Sequence, residues 1–234
     1  MRRKTAEMGP RSEIVYGPGT WEHLKVLRER AAVVLEALKK YDMDASVFGS
    51  VARGDVKPTS DVDIFIDDTV SSINVSLALD DTGILERRIV QATPRALVKA
   101  HLVLENGANV IFPLIQPRQI ELEFYRFGGE TGLKGIREDR RVSGVDKRLM
   151  FIQPTEEGHI ETPLSDLSPG WVARQLGIGQ AIVEERMRVL ERRADVGRTG
   201  IYLDRPLAPE ESFEQVLDEL IKSDPALRRR VISR

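Results

Sequence analysis

Apolar residues recur along the chain in two periods, and the switches between them mark out its elements. Residues 21–41 place Leu24, Leu27, Ala31, Val34, Leu35 and Leu38 at spacings of three and four, which predicts a helix with one buried stripe. "GPGT" breaks the chain just before it, and Thr20 is a candidate cap. "ASVFG" then reads as a short strand and "SVARGD" as a brief helix or turn. "DVDIFID" alternates, with Val62, Ile64 and Ile66 on one face and Asp61, Asp63 and Phe65 on the other, which predicts a second strand. A helix over 72–82 is followed by apolar segments at 84–90, 97–104 and 109–114. "QIELEFYRF" at 119–127 alternates again, so a further strand is expected there, with Glu121 and Glu123 on one face.

Residues 128–148 are rich in glycine and charge and read as a long loop, and "LMFIQP" is a last strand candidate. Composition shifts at "LSDLSPG", residues 165–170. The expected organisation is a domain at 1–165 and a smaller one at 166–234. The fold class is α+β: a mixed sheet with flanking helices, then a small helical, winged-helix-like unit.

Composition narrows the chemistry. Of the 234 residues 31% are charged and 41% hydrophobic, the balance of a globular chain. The net charge of −2 gives no sign of a wholly basic nucleic-acid binder. With no cysteine, disulfides and thiolate zinc sites are excluded, and the three histidines lie far apart in sequence. No apolar run approaches the ~20 residues that a membrane helix needs. A cytoplasmic protein without a membrane partner is expected.

The chemistry concentrates in "VFGSVARGDVKPTSDVDIFI", residues 47–66. A Gly49–Ser50 turn opening a helix offers free backbone N–H groups, a hydroxyl and a positive dipole end, which suit a triphosphate. Asp61 and Asp63 project from one strand face, where like charges repel; either a cation lies between them or they are solvated charges at a strand edge. Magnesium prefers such hard oxygen ligands, and two ions could hold a triphosphate and activate an attacking hydroxyl. That plan wants a third carboxylate on a neighbouring strand. Glu123, in the more apolar surroundings, is the first candidate and Glu121 the second. Arg53 and Lys57 could reach phosphates, as could Lys147 and Arg148 in the basic loop.

The run "GSVARGDVKPTSDVDIFI" resembles the signature of the DNA polymerase β-like nucleotidyltransferase superfamily, above all its minimal prokaryotic and archaeal members. The likeness is close over residues 45–66 and loose over 20–127. It implies that Gly49 and Ser50 contact the triphosphate and that Asp61 and Asp63 bind Mg²⁺. It implies transfer of a nucleoside monophosphate from an NTP such as ATP to an acceptor hydroxyl. The family's third carboxylate is usually Asp, whereas the candidates here are Glu.

Further on, "WVARQLGIGQAIVEERMRVLERR" spaces Ala173, Gly177, Val183, Met187 and Leu190 as a helix-turn-helix does, and "DVGRTGIYLD" could form a wing. Arg186, Arg188, Arg192, Arg193 and Arg198 favour a nucleic-acid partner, and Glu184 and Glu185 oppose one. Two alternatives stand beside the transferase: a nucleic-acid-binding regulator whose first domain senses nucleotide, and a toxin–antitoxin type partner that modifies a protein or an RNA.

Overall fold

The computed structural model describes residues 8–196 and 200–232. Its strands are β1 (Ser12–Val15), β2 (Ala45–Phe48), β3 (Val62–Ile66), β4 (Ile84–Gln91), β5 (Val98–Leu104), β6 (Ala108–Pro113), β7 (Glu130–Gly132), β8 (Gly144–Val145), β9 (Met150–Thr155), β10 (Gly158–Pro163) and β11 (Leu203–Pro206). Its helices are α1 (Pro18–Lys39), α2 (Ser50–Arg53), α3 (Ser72–Ala78), α4 (Gln119–Phe127), α5 (Leu133–Arg137), α6 (Pro169–Leu176), α7 (Gln180–Val196), α8 (Phe213–Ser223) and α9 (Pro225–Ile232).

Seven strands form a mixed sheet in the order β11-β4-β5-β6-β3-β2-β7. Only the β3–β6 pair is parallel; the other neighbours run antiparallel. The fold is therefore α+β, as the pattern of elements predicted. Alternation along the central strands sends Val47, Ile64, Val110, Phe112, Ala100 and Leu102 to one face, where all are buried. The stripe of α1 covers that face: Leu24, Leu27, Ala31, Val34, Leu35 and Leu38 all join the same core. A smaller antiparallel sheet, β1-β10-β9-β8, stands beside it.

Two expectations need correction. Residues 119–127 form helix α4, not a strand. Ile120, Phe124 and Phe127 pack with Val145, Phe151 and Leu190, while Leu122 and Tyr125 pack with Phe65 and Ile111. Two different apolar surfaces thus take the two sides of the helix. Residues two apart lie about 200° around a helix, so Glu121 and Glu123 do not share a face.

The second correction concerns the C-terminal region. Leu203–Pro206 pairs with β4 at the edge of the main sheet instead of folding back as a wing. Phe213, Val216 and Leu227 enter the core under α1, with Phe112 and Phe213 edge to face at 5.6 Å. The packing therefore does not divide at residue 166. The helix-turn-helix spacing itself is realised. Gly177 takes φ 63 between α6 and α7, a left-handed conformation that glycine adopts without steric cost. Residues 195 and 196 belong to α7, and residues 197–199 of the wing reading, with Arg198, lie outside the described residues.

Candidate active site

The polar face of the central strands carries the site. β2, β3 and β6 pair so that Phe48, Asp63 and Asn109 stand side by side. Asp61 precedes β3 on the same face by alternation. Gly49 links β2 to α2 with φ 80 and ψ −145, backbone geometry closed to residues with a Cβ, and its N–H donates to the Gly129 carbonyl at 2.9 Å. Ser50 Oγ donates to Ser60 Oγ at 3.1 Å, and Ser60 Oγ accepts from the Lys57 N–H at 2.9 Å. These bonds tie the Gly-Ser turn to the loop that delivers Asp61. Since α2 is a single turn, what it offers a phosphate is N–H groups and a hydroxyl rather than a sizeable macrodipole.

A cavity of about 460 Å³ opens over this face. Gly49, Ser50, Arg53, Lys57, Asp61 and Asp63 all line it. Glu121 and Glu123 do not. Glu121 accepts from the Arg118 N–H at 2.8 Å and from Arg230 Nη2 at 2.6 Å, so it caps α4 and ties that helix to α9. Glu123 accepts from Gln119 at 3.3 Å along its own helix. Arg53 is 5% exposed and already engaged: Nε and Nη2 each donate to Asp55 at 2.9 Å, and Nη1 donates to the Gly128 carbonyl at 2.5 Å. It is a strut between α2 and the turn after α4, with its charge balanced by Asp55.

The neighbouring strand does present a polar group to Asp63, but it is an amide. Asn109 Nδ2 donates to Asp63 Oδ1 at 2.9 Å. Burial pushes the Asp63 carboxyl above its usual range. The Asn109 bond opposes that shift, Asp61 adds to it, and the charges of Lys147 and Lys99 also oppose it. Among the described residues no three Asp, Glu or His side chains come together as a metal cluster. The pair Asp61 and Asp63 still suits one magnesium ion, which would keep waters and take phosphate oxygens for its other ligands. A carboxylate raised first by burial and further by Asp61 is the kind of group that a cation would relieve.

The opposite wall comes from the smaller sheet and the helices. Val145 lines it from the end of β8, Asp146, Lys147 and Arg148 from the loop between β8 and β9, Phe124 and Phe127 from α4, and Arg186 and Leu190 from α7. The Arg186 guanidinium lies 5.0 Å from the Phe124 ring centroid. Arg186 thus faces the cavity and not an outer nucleic-acid surface. The Arg188 Nε donates to the Glu184 carbonyl. Nothing is described of the Arg193 side chain.

Residues 30–99 match the family model described as nucleotidyltransferase domain. The chain thus carries a nucleotidyltransferase domain of the polymerase β-like superfamily. The match runs from within α1 to the start of β5 and takes in the Gly49–Ser50 turn and both aspartates. No curated protein and no solved structure matches the chain. Beyond the matched span, Asn109 of β6 bonds Asp63, and Lys147, in the loop between β8 and β9, lines the same cavity. A pattern of carboxylates does not point to Asn109, although it is the one polar residue in "ANVIFP". No helix among the described residues is long and apolar enough to cross a membrane.

Proposed function

We propose that this chain is a magnesium-dependent nucleotidyltransferase that moves a nucleoside monophosphate from an NTP to an acceptor hydroxyl and releases pyrophosphate. The observation that supports it best is the convergence of Gly49–Ser50, Asp61–Asp63 and Lys147 on one cavity whose size suits a nucleotide. The turn N–H groups and Ser50 would bind phosphate oxygens, with Lys57 at the rim. Phe124, Phe127, Val145 and Leu190 give the far end an apolar lining that suits a base. A divalent ion on Asp61 and Asp63 would supply positive charge to the phosphates and orient them. The acceptor oxygen then bonds to the α-phosphorus and the α–β bridging bond breaks. Its electron pair leaves with pyrophosphate, and the hydroxyl proton passes to water. Positioning and charge neutralisation carry the rate, without a covalent enzyme intermediate.

Incubating the protein and a cell extract with each α-labelled NTP and Mg²⁺ tests this. Label should appear in one acceptor, be absent when the same NTP carries γ-label, and vanish with the Asp61→Asn, Asp63→Asn double variant. Magnesium-dependent NTP binding with no label transferred from any NTP would overturn the transferase reading and leave a nucleotide sensor.

A further inference from the structure

A two-ion site needs a carboxylate beside Asp63 on the next strand. The register leaves no ambiguity about what stands there. β6 runs parallel to β3, Asp63 is opposite Asn109, and the amide nitrogen bonds the carboxylate at 2.9 Å. An amide adds no negative charge and binds no proton in the neutral range. Nor does α4 make good the loss, because Glu121 is bonded to Arg230 and neither of its glutamates lines the cavity. Asp55 and Asp146 also line the cavity, but each is paired with an arginine, Arg53 and Arg148. The two remaining carboxylates fit one ion; the donor set does not fit a second.

A triphosphate brings several negative charges, and more cation must come from elsewhere. Of the cations on the cavity wall, Arg53 is bound to Asp55, and Arg148 to Asp146 at 2.6 Å and to Glu161 at 3.2 Å; the Arg186 guanidinium lies over the Phe124 ring, and the exposed Lys57 belongs to the loop on the Gly49–Ser50 side. Lys147, between Asp146 and Arg148, makes no ion pair or hydrogen bond among the described residues, and its charge reaches Asp63 across the cavity.

The loop that presents Lys147 is held tightly. The Asp146 carboxylate accepts from the Arg148 N–H at 2.8 Å and the Met150 N–H at 3.0 Å. The Asp146 N–H donates to the Met150 carbonyl at 2.9 Å. Leu149, buried and not a glycine, adopts φ 64, a conformation that costs an L-residue about 1 kcal/mol or more and persists only when its surroundings enforce it. Buried strain next to an exposed, unpaired lysine is hard to explain as solvation of a surface charge.

We propose that the site works with a single divalent ion on Asp61 and Asp63, and that the Lys147 ammonium supplies on the phosphates the positive charge that a second ion would otherwise bring. This rests on the nucleotidyltransferase reading and makes Lys147 a substrate-contacting residue of it. The proposal predicts the ion count as well as the variant's affinity.

The test counts Mn²⁺ bound per chain by electron paramagnetic resonance at saturating α,β-methylene NTP. One ion per complex is expected in the wild type, and two in Asn109→Asp if that variant folds. Separately, Lys147→Met should weaken binding of the Mn²⁺-loaded analogue roughly tenfold or more, the scale of a lost charged contact, and Lys147→Arg should restore most of it. Two ions in the wild type, or unchanged affinity in Lys147→Met, overturns this inference and leaves the transferase reading standing. Failure of the wild type to bind the loaded analogue at all overturns both.

Discussion

Replacing Glu121 by Gln separates the role that its position gives it from the role that a search for carboxylates suggests. Its Oε2 accepts from Arg230 Nη2 at 2.6 Å, and the side chains are 16% and 4% exposed, so the pair is screened little by solvent. Gln keeps the volume and one acceptor oxygen, so the bond to the Arg118 N–H at 2.8 Å can survive. What is lost is the charge facing a buried guanidinium. A hydrogen bond to a charged group is worth about 1.5–3 kcal/mol, and a broken buried pair costs somewhat more. A loss of about 2 kcal/mol follows, which in a chain of this size lowers Tm by about 4–8 °C. Turnover per folded molecule should stay within about twofold of wild type. Glu123→Gln should change neither quantity, because it gives up only a 3.3 Å contact to Gln119. Thermal melts followed by circular dichroism, with labelled-NTP turnover measured well below Tm, check both. A Glu121→Gln protein that melts like wild type yet loses tenfold or more in turnover would refute the reasoning and return Glu121 to the metal site.

Three further outcomes follow from buried groups and backbone. His101 is pushed down to about 4 from its ordinary 6.5, by burial first and the Lys99 charge second. Because its folded pKa lies below the unfolded one, the unfolded chain takes up the proton first. Stability from this group is full above pH 6.5 and falls between pH 6.5 and 4, by at most about 3 kcal/mol; urea titrations across that range should show the slope, and His101→Gln should flatten it. Asp63 is shifted the other way for an acid, so its protonation favours the folded state and that benefit fades as pH rises past the ordinary carboxylate range through its own raised pKa. In chelator at pH 7, Asp63→Asn should therefore melt no lower than wild type while losing the Tm gain that magnesium and an NTP analogue give; a clear drop in chelator would contradict the burial argument. Gly129→Ala combines φ 82 with a Cβ 2.8 Å from Arg53 Cγ and 3.0 Å from the Ser143 carbonyl, so a loss of about 2 kcal/mol or more is expected from denaturant midpoints.

Much of the fold was legible because long amphipathic patterns leave little choice. Six spaced apolar residues of α1 point one way only if the segment is helical, and all six are buried. Nine residues at 119–127 gave no such guarantee. Ile120, Phe124 and Phe127 fit a helical spacing, while Ile120, Leu122 and Phe124 fit alternation, and the helix packs Ile120 and Phe127 on one apolar surface and Leu122 and Tyr125 on another. The Gly128–Gly129 pair just past its end and Pro117 before its start were the signals that favoured a helix. The edge strand β11 was harder still. Its partner β4 lies more than a hundred residues earlier, and nothing local in "LDRP" names it.

The same contrast governs the site. Gly49, Ser50, Asp61 and Asp63 sit within fifteen residues of one another, so local order alone brings them together. Asn109 reaches Asp63 from 46 residues away, and only the parallel register of β6 on β3 assigns it. The segment was nevertheless foreseen as a strand, and a strand buried on one face must turn its one polar residue to the other. Had strand adjacency been weighed before residue type, an amide rather than a glutamate would have been read into the third position. The distinction is chemical. A carboxylate there would compete with Asp63 for protons and cations, whereas the Asn109 amide donates to it and opposes the rise that burial imposes on it. The sheet therefore presents one oriented carboxylate and one exposed one, and in the single-ion proposal the wall that carries Lys147 supplies the remaining positive charge for a triphosphate.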